Sequence, residues 1–120
     1  MSWYKQFDLV WVPVVDYDRA KSFYQDDLGF ELVLEDKSVN WAEFQISPGA
    51  KMAIHAVKVT NASPIGALVI EVENLEKSEL WLQGKGIKLF DKEEIPNLVK
   101  LASMSDPDGN IIQLSQSLAK

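Results

Sequence analysis

The stretch that decides the fold is Asp106-Pro107-Asp108-Gly109-Asn110, which runs directly into Ile111-Ile112-Gln113-Leu114. Proline restricts φ, glycine accepts a positive φ, and aspartate and asparagine side chains can hydrogen bond to the backbone of their own turn. The apolar and β-prone residues after this turn predict a strand. The turn therefore sets the register of the last strand, and with it the face of the sheet on which Gln113 lies.

The length, composition and charge of the chain exclude several kinds of site and partner. A chain of 120 residues predicts one domain, and the absence of cysteine excludes disulfides and thiolate metal sites. The formal net charge of −6 argues against nucleic acid as a partner. No apolar run approaches the roughly 20 residues that span a bilayer, so we expect no membrane partner. The N-terminus has no signal-peptide pattern, and we expect a cytoplasmic protein.

The first half of the chain predicts one strand, one helix and three strands. The first strand runs from Leu9 to Val15, and Trp11 lies on the opposite side from the valines at alternate positions. Asp16 is predicted to cap the helix at its N-terminus, and Gly29 to end it. The three strands that follow are predicted at Phe30 to Glu35, Asn40 to Ile46 and Lys51 to Val59.

The same order begins again after a polar connector at Thr60 to Pro64. Ala67 to Val72 predicts a strand, Asn74 a helix cap, and Gly86 the helix end. The charged segment Lys92 to Asn97 is predicted to be a loop. The last three strands are predicted at Ile87 to Phe90, Val99 to Met104 and Ile111 to Ser115.

The repeated order predicts two tandem βαβββ modules, at about residues 1–60 and 65–120, in a single domain of residues 1–120. The fold class is therefore α+β. We expect each module to form a curved mixed sheet with one helix on its back, and the other faces of the sheets to enclose a shared cup. The cup does not follow from the repeat alone.

Three motifs of the chain are Val14-Val15-Asp16, the helix end from Ala20 to Leu28-Gly29-Phe30 with Phe23-Tyr24 inside it, and the Asp106 to Asn110 turn. Together they resemble those of the vicinal oxygen chelate superfamily, which includes glyoxalase I, the fosfomycin and bleomycin resistance proteins and the extradiol dioxygenases. The resemblance covers nearly the whole chain and implies a glyoxalase/bleomycin-resistance-like fold. It says less about the reaction, because this family hosts many activities.

The resemblance also implies where a metal would bind. The family's metal enzymes have histidine on the first strand of a module and glutamate or histidine on the last. The matching first-strand positions are Leu9 and Ala67, which offer no donor. The last strands offer Gln113 and, depending on register, Ile54 or His55. Because such a metal needs three or four oxygen or nitrogen ligands, we expect neither a metal nor another cofactor. The chain then resembles the metal-free members, of which bleomycin-binding proteins are the best known.

Six side chains are candidates for contact with a ligand in the cup, because they offer aromatic surface, a titratable group, an adaptable thioether or an amide: Trp11, Trp41, His55, Glu71, Met104 and Gln113. Each has a structural alternative. His55 can be merely a polar sheet residue, Glu71 can lie at the exposed end of its strand, and Met104 can fill the core. Trp11 can pack in a dimer or between the modules, and Trp41 can be a half-exposed residue of its sheet.

The sequence therefore predicts a homodimer that binds a small organic molecule without metal, for sequestration or resistance. A metal-independent lyase or isomerase is the alternative, in which Glu71 or His55 acts as the base beside Gln113 as the oxyanion donor. A metal-dependent glyoxalase- or dioxygenase-like enzyme is a third hypothesis, which Leu9 and Ala67 disfavour. Whether the protein catalyses a reaction, and which molecule it binds, stay open at this point.

Overall fold

A computed structural model describes residues 7–56 and 68–118 of the chain. The chain divides into two compact units, Met1–Asn61 and Ala62–Lys120. Each unit contains one four-stranded mixed sheet, sheet A in the first and sheet B in the second. The predicted α+β fold of two βαβββ modules is confirmed.

In the first unit, the strand order of sheet A is β1-β4-β3-β2. Strand β1 is parallel to β4, and the other pairs are antiparallel. Helix α1 continues directly into a π-helical turn at Phe23–Asp27, and a short 3₁₀ turn at Lys37–Val39 follows β2. The main elements are β1 (Leu9–Val14), α1 (Tyr17–Ser22), β2 (Glu31–Asp36), β3 (Trp41–Ser47) and β4 (Ala50–Ala56).

The second unit repeats this arrangement. Sheet B has the order β5-β8-β7-β6, with β5 parallel to β8 and the other pairs antiparallel. Its elements are β5 (Leu68–Glu71), α2 (Leu75–Gln83), β6 (Phe90–Ile95), β7 (Val99–Ser105) and β8 (Ile111–Ser117).

Both helices begin directly after the predicted caps, and the two predicted glycines follow them. The side chains of Asp16 and Asn74 accept hydrogen bonds from the backbone N–H three residues further on, at 3.1 and 2.9 Å. Such caps satisfy donors that have no partner inside the helix. After the helices, Gly29 and Gly86 adopt φ values of +76° and +78°, which suit glycine. Neither helix of the described chain is long and apolar enough to traverse a bilayer.

The core of the first unit fixes which face of sheet A the helix covers. The Tyr24 ring lies 6.0 Å from the Phe44 ring, and both side chains are fully buried. Phe44 pairs with Met52 across the sheet, and Ile54 lies two residues further on the same face. Burying side chains of this size contributes roughly 1.5–3 kcal/mol each. Because side chains alternate along a strand, the residues between these lie on the face opposite α1.

The predictions of a strand at Ile87 to Phe90 and of a loop at Lys92 to Asn97 are wrong. Strand β6 covers Phe90–Ile95, and all six of its residues are exposed. The strand lies at the edge of sheet B, where charged side chains remain in water and discourage pairing with other chains. An exposed charged strand has no apolar alternation, so the sequence pattern could not reveal it.

Parts of three predictions lie outside the described residues. These are the end of the predicted fourth strand at residues 57–59, the connector Thr60 to Pro64, and Ala67 at the start of the predicted fifth strand.

The turn at Asp106 to Asn110 is organised by one buried carboxylate. Asp106 Oδ1 accepts hydrogen bonds from the backbone N–H groups of Asp108 and Asn110, both at 2.8 Å, and its Oδ2 accepts one from Asn110 Nδ2 at 2.7 Å. Gly109 has a φ of +88°. The carboxylate thus holds the hairpin that places Ser105 opposite Ile111 and Ser103 opposite Gln113.

We expect Asp106→Ala to lower the free energy of unfolding by about 3 kcal/mol, because it leaves buried backbone donors without their acceptor. Urea denaturation followed by circular dichroism measures this loss. The matched control is Pro107→Ala, which changes the same turn and leaves the acceptor in place. That variant should lose no more than about 1 kcal/mol. Equal losses in the two variants would contradict the role of the Asp106 carboxylate.

A polar cluster ties α1 to β2 in the first unit. The Tyr17 hydroxyl donates to Glu35 Oε2 at 2.6 Å, and Lys21 Nζ donates to the same oxygen at 2.9 Å. These two hydrogen bonds, Tyr17 first, lower the pKa of the Glu35 carboxyl below its ordinary value of 4.5. Burial and the bond to Glu35 raise the pKa of Tyr17. The Glu35 carboxylate therefore links two side chains of α1 to β2.

A group whose pKa is lowered by folding stabilises the fold above its unfolded pKa, and this stabilisation is lost as the pH falls through the lowered value. We therefore expect Glu35→Gln to unfold at lower urea than the wild type at about pH 7, and the difference to shrink towards about pH 3. Glu31→Gln, at the exposed opposite end of β2, is the control and should track the wild type. A difference that did not change with pH would show that Glu35 acts only through packing.

Candidate functional site

Two tryptophans and the single histidine meet on sheet A. Trp11 lies on β1, Trp41 on β3 and His55 on β4 between them. All three occupy the face opposite α1, because Phe44 and Ile54 occupy the helix-covered face and side chains alternate. We call this surface the Trp–His face and define it by five residues: Trp11, Trp41, Glu43, Lys51 and His55.

Both indoles contact the imidazole at their edges. The ring centroids of Trp11 and His55 are 5.6 Å apart, those of Trp41 and His55 are 5.5 Å apart, and the interplanar angle is 69° in each pair. Edge-to-face contacts of this kind add stability beyond the area that they bury. The Trp11 side chain remains 48% exposed. The cluster therefore combines a fixed geometry with aromatic surface that a ligand can reach.

Glu43 connects the aromatic part of the face to a charged part. Its Oε2 accepts a hydrogen bond from Trp41 Nε1 at 2.9 Å, and its Oε1 lies 3.2 Å from Lys51 Nζ. Hydrogen bonding to Glu43 is the main reason that the pKa of Lys51 is raised. Because both carboxylate oxygens are engaged, the Trp41 indole is held in one orientation.

The register of sheet A decides between Ile54 and His55 as the polar position of β4. Ile54 pairs with Val12 and Ala42 and is fully buried on the helix side. His55 pairs with Pro13 and Trp41 and is half-buried on the Trp–His face. The histidine, and not the isoleucine, is therefore available to a molecule on this face.

On sheet B, the predicted residues Gln113 and Glu71 share the face opposite α2. Gln113 pairs with Val69 and Ser103 and is half-buried. Glu71 pairs with Ser115 at the end of β5, and its side chain is exposed. The amide is thus partly enclosed, whereas the carboxylate lies in water at the end of the strand.

Met104 lies on the other face of sheet B. It pairs with Ile112 and is only 2% exposed, on the side that α2 covers. The reason is the hairpin register, which pairs Ser103 with Gln113 and so turns the next residue to the opposite face. The structure therefore places Met104 in the core and does not bring it together with Gln113 or Glu71.

The predicted ligand positions offer few donors in the described chain. Leu9, the first-strand position on the Trp–His face, carries no donor, and Ala67 lies outside the described residues. Both ring contacts of His55 in the described chain are to indoles. Within residues 7–56 and 68–118, no three histidine, aspartate or glutamate side chains come together in a way that could hold a metal.

Glu43 and Lys51 are not among the six candidates named from the sequence. Both were nevertheless indicated by period-2 alternation, because Glu43 is two residues from Trp41 and Lys51 is four residues from His55. What the sequence could not show is that their side chains meet each other and the Trp41 indole. That contact depends on the antiparallel pairing of β3 with β4.

Comparisons with known proteins agree with this fold. The family model of the Glyoxalase/Bleomycin resistance protein/Dioxygenase superfamily matches residues 6–114. A comparison with curated proteins gives no significant match.

Solved structures of similar fold include proteins of different activity. A glyoxalase/bleomycin resistance protein from Streptomyces sp. CB03234 is 30% identical, with a TM-score of 0.70 over 90% of this chain and 97% of that one. TnmS3, an antibiotic binding protein from the same organism, is 28% identical, with a TM-score of 0.77 over 98% of this chain and 99% of its own. A lactoylglutathione lyase from Agrobacterium tumefaciens is 17% identical, with a TM-score of 0.72 over 98% and 97% of the two chains, and shows the fold alone. Function must therefore be argued from the residues of the site.

Proposed function

We propose that this chain, which belongs to the Glyoxalase/Bleomycin resistance protein/Dioxygenase superfamily, binds a small organic molecule without a metal ion and serves in sequestration or resistance. The observation that carries the proposal is the cluster of Trp11, Trp41 and His55 on one face of sheet A. Small-molecule sites commonly combine aromatic walls with a few placed polar groups. The likeness to TnmS3, described as an antibiotic binding protein, supports the same function.

The chemistry of the Trp–His face favours a ligand that contains an aromatic ring. Indoles offer large rigid surfaces for stacking, and an imidazole can donate or accept a hydrogen bond. Glu43 holds the Trp41 indole in place before a ligand arrives, which reduces the entropy lost on binding. We therefore propose Trp11, Trp41 and His55 as the contacts on this face.

On sheet B we propose Gln113 and Glu71 as polar contacts, because both side chains lie on the face opposite α2. Met104 is left out of the proposed contacts because it is buried under that helix. A homodimer and a cytoplasmic location remain predictions, which sedimentation velocity and cell fractionation test.

The lyase or isomerase alternative has less support. It requires Glu71 or His55 as a base, but the Glu71 carboxylate is exposed, and each ring contact of His55 in the described chain is to an indole. Any ligand found can be incubated with the protein and followed for conversion by mass spectrometry. If Glu71→Gln kept the binding but abolished a conversion, the protein would be an enzyme and the sequestration proposal would fail.

We expect a thermal-shift screen of aromatic natural products, with bleomycin included, to yield a ligand whose binding depends on both tryptophans. A ligand at 100 times its Kd adds roughly 2.7 kcal/mol to the free energy of unfolding. Trp11→Ala and Trp41→Ala should each weaken the affinity roughly thirtyfold, which corresponds to about 2 kcal/mol, as measured by calorimetry. Trp81→Ala, at an exposed tryptophan of α2, is the matched control and should bind as the wild type does. Ligands that bound all three variants alike would place the site elsewhere.

The metal-free part of the proposal has its own test. We expect protein incubated with nickel, zinc and manganese, then desalted, to retain far less than one metal ion per chain in elemental analysis. The physical reason is that no three histidine, aspartate or glutamate side chains of the described chain are grouped as metal ligands. His55→Ala should retain as little metal as the wild type. One tightly held ion per chain that was lost in this variant would establish a metal site.

A further inference from the structure

The second unit contains a groove that plays no part in the proposed function. It lies between α2 and strands β6 and β7 and has a volume of about 380 Å³, which is within the usual range of small-molecule sites. Its floor is apolar, with Leu75, Leu89 and Ala102 all buried. Its rim carries Glu79 and Lys92, which form an ion pair.

The first unit has a phenol ring at the equivalent place. Tyr17 follows the helix cap Asp16, as Leu75 follows the helix cap Asn74. The Tyr17 hydroxyl donates to Glu35 Oε2 at 2.6 Å, and its oxygen lies 3.4 Å from the backbone oxygen of Trp41. The first unit therefore fills with its own side chain the space that the second unit leaves as a groove.

The ion pairs of the two units are also equivalent, with their charges exchanged. Lys21 and Glu79 are each the fifth residue after the helix cap. Glu35 pairs with the fully buried Ala42 of β3. The corresponding buried alanine of β7 is Ala102, and Lys92 belongs to the bulge that faces it, between the Phe90–Ser103 and Glu93–Leu101 pairs. The pair Lys21–Glu35 of the first unit thus corresponds to the pair Glu79–Lys92 of the second unit.

The ion pair of the second unit, which has no phenol ring beside it, is more exposed than that of the first. In the first unit the side chains of Lys21 and Glu35 are 23% and 20% exposed. In the second unit Glu79 is 22% exposed but Lys92 is 57% exposed. Leu75, at the place of Tyr17, is a shorter side chain and carries no hydroxyl. The second unit therefore has the apolar floor and the ion pair of the first, without the phenol that joins them.

We propose that this groove binds a small monocyclic phenol, with its ring on Leu75, Leu89 and Ala102 and its hydroxyl on the Glu79–Lys92 pair. A hydroxyl suits this pair because it can donate to the carboxylate and accept from the ammonium group, whereas a charged ligand would be repelled by one partner. The site is separate from the Trp–His face, and its occupation does not depend on the function proposed for that face.

The test is titration of the whole chain with p-cresol, followed by methyl chemical shifts in NMR. We expect saturable shifts at Leu75, Leu89 and Ala102 at millimolar ligand. Toluene has the same ring and methyl group without the hydroxyl, and it should bind about tenfold more weakly. Equal affinity for the two compounds, or no saturable shift at these methyls, would overturn the proposal.

Two variants test the role of the phenol ring, one by adding it to the second unit and the other by removing it from the first. Leu75→Tyr places a phenol in the groove and should abolish the p-cresol shifts at Leu89 and Ala102. Tyr17→Leu is the matched counterpart; it should keep those shifts and add a new one at Ala42. Undiminished binding in a folded Leu75→Tyr would overturn the proposal, and if this variant fails to fold, the comparison of p-cresol with toluene still decides. Tighter binding of N-acetyltyrosinamide than of p-cresol would assign the groove to a tyrosine of a partner protein instead.

Discussion

The cross-strand register of the two sheets is the constraint on which the rest of this structure depends. In sheet A, the pairing of Trp41 with His55 and of Phe44 with Met52 separates an aromatic and polar face from an apolar one. A shift of one residue would exchange the two faces and bury the histidine under the helix. The Asp106 carboxylate has the corresponding role in sheet B, because it shapes the hairpin that pairs Ser103 with Gln113. In sheet B, local hydrogen bonds of one turn thus decide on which face each side chain lies.

The sequence predicts those parts of the fold that depend on local chemistry. Asp16 and Asn74 cap their helices, and Gly29 and Gly86 end them, because the backbone needs an acceptor at the start of a helix and a positive φ after it. The order of elements in both halves follows from the same signals. Strand β6 could not be predicted from these signals, because an exposed edge strand is held by backbone hydrogen bonds to β7 and needs no apolar side chains.

Residues of the candidate site could be named from the sequence, but their arrangement in space could not be predicted from it. Trp11, Trp41 and His55 could be named from the sequence, and alternation placed Glu43 on the side of Trp41. The choice between Ile54 and His55 required the pairing of β4 with both of its neighbours. Met104 was a candidate for its adaptable thioether, but the face on which it lies depends on the hairpin register, which sequence periodicity does not determine. The contact of Lys51 with Glu43 likewise depends on the pairing of β3 with β4.

The π-helical turn at Phe23–Asp27 has a consequence for how the two halves can be aligned. Thirteen positions separate the cap Asp16 from Gly29, and twelve separate Asn74 from Gly86, so the first half has one residue more. A π turn accommodates one additional residue without breaking the helix. Phe23 and Tyr24 remain buried, and the strands that follow keep their pairing. The π turn thus accommodates the additional residue within the helix. An alignment of the two halves therefore requires a gap in the helix and not in a loop.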